Sequence, residues 1–338
     1  VPHRPSPIAV RPGARFACAG DGLCCTDVHL LGPVTRKEQP GIEAFAPRAL
    51  VRGRRLAVLA PKADGGCTFL DSEGPSASWR CAIHHLDIKP ATCSRFPYLL
   101  AATPGGPRLG TDHRCPCRTM GERAPVTAES ALPSLRERSG RVHPDRTIEG
   151  RIALSARRRV GFARYLDEEA SLLDRLARGE LAEVARTPRR LSKKMWQPIA
   201  AAMLAIDEVP TRWCGMHTAF ARGLEAVATR AAHVTPFARP WAESFARAER
   251  RTPVEQDPDA MLADWVADVI WALEWTFFGT LEQTRTELGL RVAIARALAA
   301  HVHRAHGARL DAATAEAIAI VEVAGLSEAW TNAIPALR

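Results

Sequence analysis

Beyond about residue 146 the chain places apolar side chains at intervals of three and four, the period of a helix with one buried face. The spacing predicts helices over 148–166, 167–185, 192–207, 211–232, 257–279, 286–306 and 311–324, with a last turn before Pro335. Pro188, Pro210, Pro236, Pro258 and Gly307 stand at the breaks, and Ser192, Thr211 and Asp311 suit helix N-caps. Roughly six to eight helices are expected. Within 257–279, Trp265, Val269, Trp271, Leu273, Trp275 and Phe278 make an aromatic stripe, which at helical spacing reads as core rather than as a substrate groove. Asp264, Asp268 and Glu274 on the same stretch argue against a membrane span.

The first third follows another pattern. Residues 1–13 carry Pro2, Pro5, Pro7 and Pro12 and read as an extended lead-in. From 14 to 120 no helical period persists, Gly and Pro interrupt, and only the short apolar runs 55–60 and 98–102 suggest strands. Over 121–145 the composition turns to Pro, Ser, Glu and Arg, as in a linker. The expected fold is mainly α: a small, irregular, cysteine-rich, metal-binding N-terminal domain with a few short strands over 14–120, then a multi-helix domain over 146–338.

Something other than continuous secondary structure must organise 14–120, and cysteine is the candidate. Eight of the nine cysteines lie between Cys18 and Cys117, as Cys18-x5-Cys24-Cys25, Cys67, Cys81-x11-Cys93 and Cys115-x-Cys117. A chain of 338 residues buries a sizeable core without disulfide staples, so the thiols read as metal ligands. Zinc or iron takes four thiolate or imidazole ligands, so eight thiols serve two mononuclear sites or one polynuclear centre. Neighbouring side chains diverge, and Cys24 and Cys25 therefore serve two metals more easily than one. The spacing is neither that of a zinc ribbon nor the Cys-x3-Cys-x2-Cys of radical S-adenosylmethionine enzymes. His84, three residues after Cys81, and His113, two before Cys115, form a second tier of ligands. Cys214 stands alone and reads as a small buried hydrophobe.

Charge adds little. The net +9 comes mainly from Arg, in runs at 52–55, 157–159 and 186–194 that read as solvated faces; without interleaved aromatics they argue against nucleic-acid binding. A protein or peptide partner on the helical domain is the favoured macromolecular partner. With no signal-like opening and no run of eighteen apolar residues, the expectation is a cytoplasmic protein that does not enter a membrane. No glycine-rich nucleotide loop, His-Glu-x-x-His helix or Glu-x-x-His pair occurs. His301, His303 and His306 place at most two imidazoles on one helical face.

The ordered motifs Phe16-Ala-Cys18, Gly22-Leu-Cys24-Cys25, Cys67-Thr-Phe-Leu70, Cys81-Ala-Ile83, Lys89-Pro90-Ala-Thr-Cys93-Ser-Arg-Phe96-Pro97 and Cys115-Pro116 resemble the YkgJ-type cysteine-cluster proteins, over about residues 14–120. Those are described as zinc- or iron-chelating, or iron–sulfur, proteins. The layout, a cluster followed by a long helical remainder, also resembles the flagellin lysine N-methylases. The chain departs from the pattern in Cys18-x5-Cys24, in His84 where Tyr is common, and in Lys89 where Arg usually precedes the Pro. The resemblance implies an iron–sulfur or polynuclear iron centre, or zinc, held by Cys18, Cys24, Cys25, Cys67, Cys81, Cys93, Cys115 and Cys117, with redox or protein-modifying activity. The alternative is a non-catalytic structural zinc module on a helical partner-binding domain. On physical grounds, Gly20 and Gly22 would let the backbone turn so that Cys18 meets the Cys24–Cys25 pair, Pro90 and Pro97 would stiffen the approach of Cys93, and Phe69, Trp79 and Phe96 would keep water from the centre.

Overall fold

A computed structural model of the chain describes residues 7–29, 31–53, 56–71, 79–137, 140–188, 191–206 and 211–336. Part of the lead-in (1–6), Arg54, Arg55, Arg189, Arg190, Asp207 and Pro210 lie outside the described residues. The chain is mainly helical, and its strands are few and short. No helix among the described residues is long and apolar enough to cross a membrane.

The core is organised around the helix Leu310–Gly325, in which every residue from Asp311 to Val321 is buried. A helix that is apolar all round belongs in an interior, and its many alanines let neighbours approach closely. Helices Thr211–Thr229, Ala242–Arg250, Pro258–Ala272 and Leu281–His306 pack against it. Leu281–His306 opens with a capping box between Thr280 and Gln283, and ends at Gly307, whose φ of 70° lets the chain reverse into the central helix. Buried Glu316 of the central helix accepts from Arg239 Nε (2.7 Å) and Trp241 Nε1 (2.8 Å).

Several expected boundaries shift. The 148–166 segment is not one helix: Ile152–Ser155 and Arg158–Val160 form a β-hairpin, and the helix begins only at Phe162. Ile148 and Ile152, four apart, share a face in either a helix or a strand, so their spacing could not separate the two. The expected 167–185 helix is the end of Phe162–Ala177, a turn through Gly179 at φ 78°, and Leu181–Val184. The 257–279 helix stops at Ala272, where Leu273 takes φ 60°, and a 3₁₀ turn follows over Glu274–Phe277. Fully buried Leu273 and the donors Tyr165 Oη and Trp275 Nε1, both 3.4 Å from the Ile270 carbonyl, hold this break. Asp311 sits in the first turn of its helix, not at the cap. Helix Ala242–Arg250 escapes the apolar pattern because it buries Ser244 and Arg247 beside Phe245 and Ala248.

A four-stranded sheet joins the two ends of the first third. Its centre is the antiparallel hairpin Tyr98–Thr103 and Gly106–Thr111, flanked in parallel by Ala9–Val10 and Arg146–Thr147. Leu100 and Leu109 are buried with Val126, Ala131 and Leu135, the last two from helix Ala128–Leu135, which lies within the segment expected as a linker. Toward the helical region, Arg108 donates to both carboxylate oxygens of Glu169 (2.7 and 2.8 Å) and lies 4.3 Å from the Trp271 ring centroid. Arg11, next to the first strand, pairs with Asp264 and Asp268 of helix Pro258–Ala272. A separate small core of Leu31, Val34, Ile42, Leu59, Phe69 and Ile83 holds the rest of the cysteine-rich segment.

Candidate metal centre

The opening turn is built as the glycines require. Gly20 and Gly22 take φ 72° and 80°, the Gly20 carbonyl accepts from Trp79 N at 3.1 Å, and the chain enters a 3₁₀ turn over Leu23–Cys25. A Cβ on Gly22 would stand 2.1 Å from Trp79 Cε3, so glycine is also required by the indole. Cys67 N donates to the Cys25 carbonyl at 2.7 Å, and Cys81 pairs with Leu70 across two short strands, which carries both toward Cys25. Cys93 lies in helix Ala91–Arg95, whose N-cap is Pro90. Cys115 caps the short helix Pro116–Thr119 that contains Cys117 and Arg118.

At the adjacent pair, Cys24 Sγ and Cys25 Sγ are 3.9 Å apart. Cys117 interacts with Cys18 and Cys115, and Cys24 interacts with Cys115 and Cys25. Those neighbours hold Cys24 and Cys117 well below the ordinary thiol range, and together with burial they push Cys18, Cys25 and Cys115 well above it. Cys117 Sγ also accepts from Ala19 N (3.2 Å) and lies 2.9 Å from Asp21 Oδ2. Burial also raises Cys67 to about 11 and Cys93 to about 12 and lifts Cys81, and the charge of Cys24 acts on all three. Phe69 N approaches Cys67 Sγ at 3.5 Å.

Among the described residues no three His, Cys, Asp or Glu side chains converge into a group that would hold a metal ion as it stands. The sulfurs are gathered without forming a coordination shell. Their chemistry suits a soft ion, and none is tied into a disulfide. Of the expected aromatic shell, Phe69 and Trp79 belong to the same apolar cluster as Cys25, Cys67, Cys81 and Cys93, whereas Phe96 meets His29 edge-on at 4.8 Å.

The second-tier histidines point elsewhere. His84 is exposed, 3.2 Å from Lys89 Nζ, whose charge lowers its pKa. His113 is buried with Nε2 2.9 Å from Asp268 Oδ2, in the network that includes Arg11, Arg118 and Thr111. Cys214 is half-buried on helix Thr211–Thr229. Two residues absent from the expected site lie at it. Asp21 is fully buried beside Cys117, and burial together with that thiol raises it to about 8. His29 is buried within reach of the Cys24 charge, held to about 4 by burial, with Nε2 3.1 Å from the Arg114 carbonyl. Their signal was position alone: an acid between the two turn glycines, and a histidine four residues after the adjacent thiols.

No family model, curated protein or solved structure matches this chain. The family resemblance therefore rests on the motifs.

Proposed function

We propose that the chain is a metal-binding protein whose eight clustered cysteines hold iron, as an iron–sulfur or polynuclear centre, or zinc. The observation that carries this reading is the gathering of eight free cysteines, with the Cys24 and Cys25 sulfurs 3.9 Å apart and the charge of Cys24 felt by Cys67, Cys81 and Cys93. Eight thiols suffice for two zinc ions or iron–sulfur clusters of four sulfurs each. The N–H groups of Ala19 and Phe69 toward sulfur, and the aromatic shell, are the contacts that tune such a centre. With iron bound the chain would supply redox chemistry, and a redox or protein-modifying enzyme similar in layout to the flagellin lysine N-methylases is the concrete version.

A second reading has its own support: four sulfurs per ion leave no open position, which is the arrangement of a structural zinc site on a helical partner-binding domain. Anaerobic purification with elemental analysis and an absorption spectrum separates the two. A brown protein with iron supports the first, and a colourless one with stoichiometric zinc supports the second. Cys24→Ser and Cys25→Ser should each remove about half the metal, whereas Cys214→Ser should remove none. Equal loss in all three variants, or a metal-free wild type, refutes the assignment.

A further inference from the structure

A cavity of about 190 Å³ lies beside the candidate centre, walled by the segment from Thr111 to Arg114, the end of helix Pro258–Ala272, and helices Leu281–His306 and Leu310–Gly325. It exceeds the ~150 Å³ engineered cavity that holds a benzene, so a ligand of roughly six to eight heavy atoms fits. Exposed Phe278 and Leu326 belong to its wall, which gives the mouth an apolar rim.

Four of its five carboxylates are matched to guanidinium groups. Asp112 pairs with Arg114, Asp268 with Arg11 and Arg118, Glu274 with Arg146, and Glu287 with Arg291. Glu322 is different. Its Oε1 accepts from Trp265 Nε1 at 2.6 Å and has only a 3.4 Å contact from Arg291, whose Nε and Nη2 face Glu287; among the described residues Oε2 has no hydrogen bond. An acceptor left without a donor is one that a ligand bearing N–H groups satisfies.

We infer that this cavity binds a small organic cation, an ammonium or guanidinium group on a short alkyl stem. The head donates to Glu322 Oε2, and the stem lies against Trp275, Phe278 and Leu326. Hydrophobic burial alone would accept an alcohol equally well, and the arginines would favour a carboxylate, so charge discriminates among these occupants.

The test is calorimetric titration of the full chain at about pH 8.5 with hexylammonium, 1-hexanol and hexanoate. Hexylammonium should bind at least tenfold more tightly than the other two. Glu322→Gln should weaken it at least tenfold, and Leu326→Trp, an exposed substitution that narrows the mouth, should weaken all three. Equal binding of the alcohol, preference for hexanoate, no binding of any probe, or unaltered hexylammonium affinity in both variants overturns the inference. Because the titration reads binding and not activity, its outcome is independent of the metal.

Discussion

Replacing Glu322 by Gln should stabilise the protein at neutral and alkaline pH. Burial pushes this carboxyl from 4.5 to about 7; Arg291 opposes the rise, Asp112 adds to it, and the Trp265 hydrogen bond opposes it. A carboxyl raised on folding binds its proton more tightly in the native state, so stability is greatest at low pH and is lost as pH climbs from about 4.5 to about 7. At about 1.36 kcal/mol per pH unit the loss is about 3 kcal/mol. Glutamine imitates the protonated form, and because both donors reach Oε1, its amide oxygen can keep both contacts. Urea unfolding of wild type and variant, matched for metal content, should give equal stabilities near pH 4. The variant should gain steadily through pH 7 and level off about 3 kcal/mol ahead. Taking the difference between the two proteins cancels the titration of the thiols, which both share. A difference that is flat across this range, or a variant less stable at about pH 8, would refute the reasoning.

Three further substitutions probe the scaffold. Asp268→Asn removes the charge that compensates buried Arg11 and Arg118 and should cost about 3–5 kcal/mol in urea unfolding; a loss below about 1 kcal/mol would mean the network is not a buried ion cluster. Gly289→Ala puts a Cβ 2.2 Å from the Arg186 carbonyl carbon, a backbone contact that cannot rotate away, and should lower stability by about 2 kcal/mol or more, read as a fall in the urea midpoint. Gly22→Ala combines a strained φ of 80° with the Trp79 clash and should lower stability by about 2 kcal/mol and reduce metal content together. Loss of stability with full metal content would separate the Gly22 turn from the thiols.

The helical bundle was legible because its apolar period runs without interruption: 192–207, 211–232 and 311–324 correspond to helices Lys193–Leu204, Thr211–Thr229 and Leu310–Gly325. The failures have one physical root, that period constrains which residues share a face and not what the backbone does between them. Ile148 and Ile152 satisfy both strand and helix, and the αL turn at Leu273 is imposed by packing against Tyr165 and Trp275, a tertiary cause with no local sequence mark. At the site, cysteine spacing suggested that Cys24 and Cys25 diverge toward different partners, whereas the structure brings their sulfurs within 3.9 Å of each other. His113 was misplaced because adjacency in sequence to Cys115 is not adjacency in space: its ring is turned toward Asp268. Asp21 and His29 could not be singled out, since what distinguishes them is burial beside sulfur charge.

The arginine–aspartate anchor between Arg118 and Asp268 also sets a timetable for synthesis. The two residues are separated by 150 positions, and at about 5–20 residues per second a ribosome needs roughly 8 to 30 s to make the second after the first. During that interval all eight clustered thiols have been made, while the helix that fixes Arg118, and with it the Cys115–Cys117 turn, has not. The nascent chain thus has a period in which those sulfurs are made but the Cys115–Cys117 turn lacks its anchor, and it ends when helix Pro258–Ala272 docks.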